Sequence, residues 1–543
     1  MVFARRSTTL LAAIIASCAM VLSLTACTSD NKTVVDGQTT VTSNSAGGVA
    51  VFTPSDGITL NQQMPLNKWA KLVPDLTKAL VDAGFKKGDI DHTTSDSLAK
   101  QSRAIQDFVV DHLSNNTTDD SGIAIAPDNM TLLVAPVVEA DASTRQYGDY
   151  ISQNLSTNDA TDGEATSDGE SSEDDSSKDD SSNTESDSTA SDEQAQAVDR
   201  LVSSLKLAKE SGMHVVLLGN SIEGYKPDAF VKFSDAQTIG KLQAEKMVSK
   251  LKLDKASKDN PKYIEVLLPY TAVDEKGNVN DSTFAQEAFR GIWQVLGSYY
   301  QKGVVESPSG TLDGKSTEND WQAVAYDAAK EGSTAKVLDK RLAKTDGQST
   351  LTRIDGIITM NDYIASEVVK ELDDLGYTGS AADINPQITI SGIVGNITGK
   401  KDLSRDAVPD PIKSPENDNA NDSSSSDDDA DEDTSASDKD RDSQWPLVTG
   451  YGAYVSNIPS IVNGKQWMTG MEDRQTIATD IAQACAKLNK DEALNSMPSI
   501  RNSEVGGVKK IPTISEPLLA VSASNLKSAL IDPGYISLAD AGL

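Results

Sequence analysis

Short apolar runs alternate along the chain with stretches in which apolar residues recur every third or fourth position. The runs at 48–54 (GVAVFTP), 132–138, 214–219 (HVVLLG), 229–233, 263–268, 356–360, 388–394 and 446–449 read as strands. The stretches at 66–84, 193–210, 236–251, 283–300, 363–375 and 476–488 read as amphipathic helices. The strand runs are continuously apolar instead of alternating, the pattern of strands covered on both faces. Regular alternation of strand and helix predicts doubly wound parallel sheets. The strands outnumber what one sheet comfortably holds, so two α/β lobes are expected. In such sheets ligands sit outside the carboxyl ends of the strands, which directs attention to the residues after Pro54, Val138, Gly219, Leu268, Met360 and Thr449.

Two stretches break this pattern. Residues 158–193 carry 14 acidic residues against one lysine, and residues 404–443 carry 14 against four basic residues. Both are rich in Ser, Asp and Glu and almost free of apolar side chains. They cannot bury enough surface to offset the entropy of ordering, so disordered insertions are expected. They account for most of the formal charge of −33 over 543 residues. The rest has an ordinary surface without clustered Lys and Arg, which excludes a nucleic-acid backbone as partner. An ordered calcium loop of the EF-hand kind is absent from both tracts.

Residues 1–27 have the layout of an export signal: Arg5 and Arg6, an apolar run, then Leu24-Thr25-Ala26-Cys27. The last four residues resemble a bacterial lipobox. This implies cleavage after residue 26, lipid attachment at Cys27, and a body held at the outer face of the cytoplasmic membrane by two acyl chains. The Thr/Ser/Asn/Gly-rich residues 27–47 are then a flexible tether, and no later run is long enough to span a bilayer. Cys485 is the only thiol beyond the leader, so the body has no internal disulfide. Neither a zinc site nor a cofactor site is expected. His92, His112 and His214 lie beside no nucleophile motif, and His214, which begins an apolar run, is expected to be structural. "GTLDGKS" at 310–316 has three residues between its glycines and no preceding strand, so it is not a phosphate loop.

The body resembles the type 1 periplasmic sugar-binding proteins, in particular the xylose and multiple-monosaccharide group served by ABC importers. The stretches that carry the resemblance are NKWAKLVPDLTKALVDAGF (67–85), HVVLLGNSIEG through FVKFSDAQTIGKLQAEKMV (214–248), IDGIITMNDYIASEVVKELDDLGY (354–377), PLVTGYGAYVSNIPSIVNGKQWMTGMEDRQTIA (446–478) and VKKIPTISEPLLAVSASNLKSALIDPGYIS (508–537). It implies two doubly wound parallel-sheet lobes joined by a three-crossing hinge that closes on ligand. Lobe 1 is placed at 48–235 and lobe 2 at 236–470. The chain returns to lobe 1 over 471–512 and ends on lobe 2 over 513–543. It also implies a monomer that binds a small molecule, a sugar above all, and hands it to an ABC permease.

Carried over residue by residue, the resemblance proposes Lys68 and Trp69 before the first helix, Asp281 in VNDSTF, Trp321 in NDWQAVAYDAA, and Asn361-Asp362 in MNDYIA. Trp69 and Trp321 would stack on sugar C–H faces, and Asn361 would bond a hydroxyl. Asp281 and Asp362 are equally placed to cap helices. Asn220 stands where the family has an Asp-Arg pair, Gly219-Asn220 here. Tyr451 stands where its late strand ends Gly-x-Asp, Gly450-Tyr451-Gly452 here. The family's arginine on the first lobe 2 helix has no counterpart; Ala288 and a displaced Arg290 are nearest. Losing these charges together leaves none buried and unpaired, but it removes the usual hydroxyl partners. The leading expectation is therefore a solute receptor of an importer, not an enzyme. The alternative is a surface sensor or structural lipoprotein with a degenerate sugar site.

Overall fold

The computed structural model describes residues 32–35, 38–41, 46–55, 65–115, 126, 129–138, 144, 146–157, 184–273, 280–328, 330–343, 351–381 and 443–543. Met1–Asn44 and Ser45–Leu543 are separate units. In the first, Lys32–Val35 and Gln38–Val41 pair antiparallel. This corrects the expectation of a wholly flexible tether. The signal was there to read: β-branched residues flank Asp36-Gly37, the dipeptide favoured by two-residue hairpins. The leader and Cys27 lie outside the described residues.

Lobe 1 is built on a seven-stranded sheet in the order Ile500–Val505, Val508–Ile514, Ala229–Val231, His214–Leu218, Met130–Val134, Gly48–Pro54, Ile90–Ser95. Neighbours run parallel except for the hairpin Ile500–Val505/Val508–Ile514. Successive side chains point to opposite faces. Val49, Val51, Leu133, Val216 and Leu218 pack beneath the helices Trp69–Asp82 and Arg474–Leu488. Ala50, Phe52, Leu132, Val134, Val215 and Leu217 pack against Leu98–Asn115 and Thr184–Glu210. Both faces are dry, which is why these strands read as unbroken apolar runs. The edge strand Ile90–Ser95 has exposed residues at its centre and gave no such signal.

Lobe 2 has a parallel sheet in the order Val305–Glu306, Lys262–Val266, Gly356–Ile358, Leu447–Val448. Backbone bonds from Trp467 N to Val448 O and from Gly470 N to Gly450 O, each 2.9 Å, extend it to Met468–Met471. That strand pairs antiparallel with Leu519–Ser522. The helices Ala236–Leu251, Thr283–Gln301, Ser333–Arg341 and Asp362–Leu375 share its core. The run at 446–449 thus supplies a strand of this sheet, and the competing run at 388–395 lies outside the described residues.

The chain passes between the lobes at 232–235, 472–473 and 515–518, between strands or helices that belong to different sheets. This is the two-lobed, three-crossing architecture the resemblance implies. The C-terminal residues Leu526, Leu530, Tyr535 and Ile536 pack with Leu66, Ile458 and Met471. Helix Thr184–Glu210 begins well inside the first acidic tract, so residues 184–193 are helical. The rest of that tract and nearly all of the second lie outside the described residues.

Candidate functional site

The strand ends of both lobes converge on the segment 146–153, which leaves lobe 1 after the strand Met130–Val134. It rejoins lobe 1 where Asn154–Leu155 pairs with Ser221–Ile222. Between those points it reaches lobe 2. Gln146 accepts from the Asn361 side-chain amide at 3.1 Å, and its carbonyl accepts from the Tyr454 hydroxyl at 2.7 Å. The Tyr147 ring lies 4.7 Å from Phe284 and 6.2 Å from Tyr451. Tyr147 and Ile151 are buried members of the lobe 2 core, although the strands on either side of them belong to lobe 1.

On the lobe 1 side the same segment takes up the start of the first helix. Asp149 accepts from Lys68 Nζ at 2.7 Å and from the Trp69 backbone N–H at 3.1 Å. Its own N–H donates to the Asn67 carbonyl at 2.8 Å. Gly148 makes this approach possible: it sits at φ +97°, and a Cβ there would lie 2.6 Å from the Asn67 carbonyl oxygen. Tyr150 stacks on Phe233 at 4.7 Å and meets Trp69 edge-on at 5.0 Å, while its hydroxyl donates to the Lys68 carbonyl. Gln153 N–H donates to Asn220 Oδ1 at 2.9 Å, and Asn220 Nδ2 donates to the Pro136 carbonyl at 2.9 Å.

Lys68, Trp69, Asn220, Asn361 and Tyr451 are thereby brought to one place, each touching this segment. Asn361 also caps the helix Asp362–Leu375 through its Oδ1, which accepts from Ile364 N at 2.9 Å. Asp362 turns inward. Its carboxylate accepts from Gln466 Nε2 (2.7 Å), Tyr454 N (2.9 Å) and Thr469 Oγ1 (2.9 Å), tying two strand ends together. Burial pushes it up to about 6 in spite of those bonds. Gly450 leaves room for it, since a Cβ there would lie 2.1 Å from Asp362 Oδ1.

Beneath the segment lies the hinge. Glu472, in the second crossing, accepts from the backbone N–H of Ser234, in the first, at 2.7 Å and from the Ser234 hydroxyl. Tyr451 OH donates to the same carboxylate at 3.2 Å. Burial raises Glu472 above the usual carboxylate range, against these hydrogen bonds, and raises Tyr451 well above 10. Met360 (φ 67°) and Ala453 (φ 49°) hold left-handed conformations at the adjoining lobe 2 strand ends. Such conformations are unusual for residues with a Cβ and concentrate at sites that need a fixed chain direction.

Two candidates stand apart. Trp321 is partly exposed and meets Tyr270 edge-on at 5.2 Å, at the carboxyl end of the strand Leu268–Pro269. The Tyr270 hydroxyl donates to Asn280 O at 3.1 Å. Asp281 is exposed and accepts from Thr283 N at 2.9 Å and Thr283 Oγ1 at 2.7 Å, fixing the turn into the helix Thr283–Gln301. Sequence reasoning missed Gln146, Tyr147, Tyr150, Ser234 and Glu472. The local signal was Gln146-Tyr147-Gly148-Asp149-Tyr150, two aromatics about a glycine within an otherwise polar stretch.

Among the described residues no group of three or more His, Cys, Asp and Glu is disposed to hold a metal ion, and no helix is long and apolar enough to cross a membrane. No family model and no curated protein matches the chain. Solved structures do. One is an ABC transporter solute-binding protein from Clostridium phytofermentans with bound β-D-glucose: 17% identity, 91% of this chain and 99% of that one covered, TM-score 0.44. A carbohydrate transporter solute-binding protein from Chloroflexus aurantiacus in complex with D-glucose is 18% identical over 92% of this chain and 98% of its own, at a TM-score of 0.43.

Proposed function

We propose that the chain is an extracytoplasmic solute receptor of an ABC importer, lipid-anchored through Cys27, that takes a carbohydrate between its lobes and passes it to a permease. The observation that carries this reading is the convergence of aromatic and amide side chains from both lobes on one cleft at the strand ends, across a three-crossing hinge. Trp69, Phe233 and Tyr451 bring rings to that cleft, where they are buried, Asn220 and Asn361 bring amides, and Trp321 stands apart and partly exposed beside Tyr270. This is the chemistry that recognises sugar rings and hydroxyls. Binding without turnover is the activity proposed.

A thermal-shift panel of pentoses, hexoses, oligosaccharides and nucleosides tests the reading. At a hundredfold excess over Kd a ligand adds about 2.7 kcal/mol. A shift with any sugar supports the receptor; silence across the panel, both from this chain and from Gln146→Ala/Tyr147→Ala, refutes it. Anchoring is tested separately: Cys27→Ser is expected to release the chain from the membrane fraction. The alternative, a sensor or structural lipoprotein with a degenerate site, has its own observation, since most of the candidate ligand-binding groups are already engaged by the chain's own residues.

A further inference from the structure

We infer that the segment 146–153 is a built-in occupant of the cleft, a strap that holds the two lobes together in the absence of solute. The inference rests on the receptor reading for what the cleft is, and goes beyond it in saying how the cleft is regulated.

The contacts of the strap are those a ligand would make. Its Gln146 supplies the acceptor for the Asn361 amide. Tyr147 supplies a ring between Phe284 and Tyr451. Asp149 supplies the anion for Lys68, and Tyr150 the ring against Trp69. A ligand draws lobes together because it bonds both at once, and the strap does the same before rejoining lobe 1 at Asn154–Leu155. Its grip on lobe 2 comes from the two bonds of Gln146 and the side chains of Tyr147 and Ile151. Asp149, Tyr150 and Gln153 hold it to lobe 1. Gln146 and Tyr147 supply the side-chain bond and the ring contacts of that grip, so truncating them weakens the hold on lobe 2 and leaves the contacts with lobe 1 in place. A solute entering the cleft must displace these two residues, so its apparent affinity is lowered by the fraction of molecules in which the strap is seated.

Hydrogen exchange on the full chain without sugar is the first arm. The Asp149 amide, which donates to Asn67 O at 2.8 Å, is expected to be protected like the sheet strands. Exchange at the rate of an exposed loop overturns the inference without recourse to any variant. The second arm compares small-angle scattering of the full chain with that of Gln146→Ala/Tyr147→Ala. The variant is expected to keep its circular dichroism and gain radius of gyration. A folded variant with an unchanged profile overturns the inference; if the variant does not fold, Gln146→Ala alone is measured in its place, a gain in radius of gyration supporting the strap and an unchanged profile overturning it. The third arm repeats the sugar panel on both proteins. A Kd at least tenfold lower in the variant supports the strap and the receptor together. A protected Asp149 amide and an opened variant with no sugar bound by either protein keeps the strap and removes the receptor. Equal sugar affinity in the two proteins, with the scattering unchanged, removes the strap and keeps the receptor.

Discussion

The inner cleft and the Tyr270–Trp321 corner of lobe 2 hold the same kinds of residue with opposite fates. In the inner cleft Trp69 and Tyr451 are almost wholly buried, at 2% and 0% exposure, and Lys68 and Asn361 are engaged by one short stretch of the chain itself. At the corner, Trp321 and Tyr270 keep part of their surfaces in solvent, and Asp281 does no more than organise a helix start. A residue's chemical suitability for a ligand therefore does not say whether it is available. Availability is decided by what else the fold brings to the same point, here the segment 146–153.

The sharpest way to break the comparison is to truncate a ring on each side. Tyr147→Ala is expected to cost about 3 to 5 kcal/mol, the range for large aromatic side chains lost from a core, measured by denaturant unfolding. Trp321→Ala, at the corner, is expected to cost under about 1 kcal/mol. Equal costs would show that the two regions do not differ as described.

The next effect is one of pH and belongs to the inner cleft alone. Asp362 lies above its ordinary 3.8, at about 6, because it is buried. An acid raised in the folded state gives its full stabilisation below about pH 4 and loses it as pH rises through about 6. The displacement corresponds to about 3 kcal/mol. Asp362→Asn is expected to flatten that part of the Tm-against-pH curve whatever it does to the absolute Tm. An unchanged slope would assign the pH dependence to another group, with Glu472 the next to test.

Asn361→Ala follows. It removes the helix cap and the bond to Gln146, for about 1 to 2 kcal/mol. Asn361 is therefore not a pure ligand contact, and any loss of sugar affinity in this variant must be compared with its loss of stability. The smallest stability effect is that of Trp321→Ala, and here ligand affinity is the useful readout. A tenfold rise in Kd, about 1.4 kcal/mol, with the fold intact would place the remaining solute contact at the corner. An unchanged Kd would place it elsewhere.

Most of the architecture was legible in the sequence because it is written in local periodicity. Continuous apolar runs such as 214–219 announce strands covered on both faces. The stretch 236–251 announces its helix to the residue, with Asp235 as the cap that accepts from Thr238 N at 2.7 Å. Elements with weak local signals were missed. Ile90–Ser95 is a polar edge strand, and Met468–Met471 is short and half glycine and threonine. The onset of helix Thr184–Glu210 was hidden by acidic composition, which speaks against a core but not against a helix.

The sequence by itself determined the fold class, the strand ends that face the cleft and the residue types gathered there, since all of these follow from patterning a few residues apart. Only the tertiary structure decided what those residues do. The bond from Asn361 to Gln146 joins positions 215 residues apart, and that from Ser234 to Glu472 joins positions 238 apart. Contacts at such separations leave no local periodicity behind. They exist because a long insertion starts at a strand end facing the cleft and because three crossings bring distant segments to one hinge.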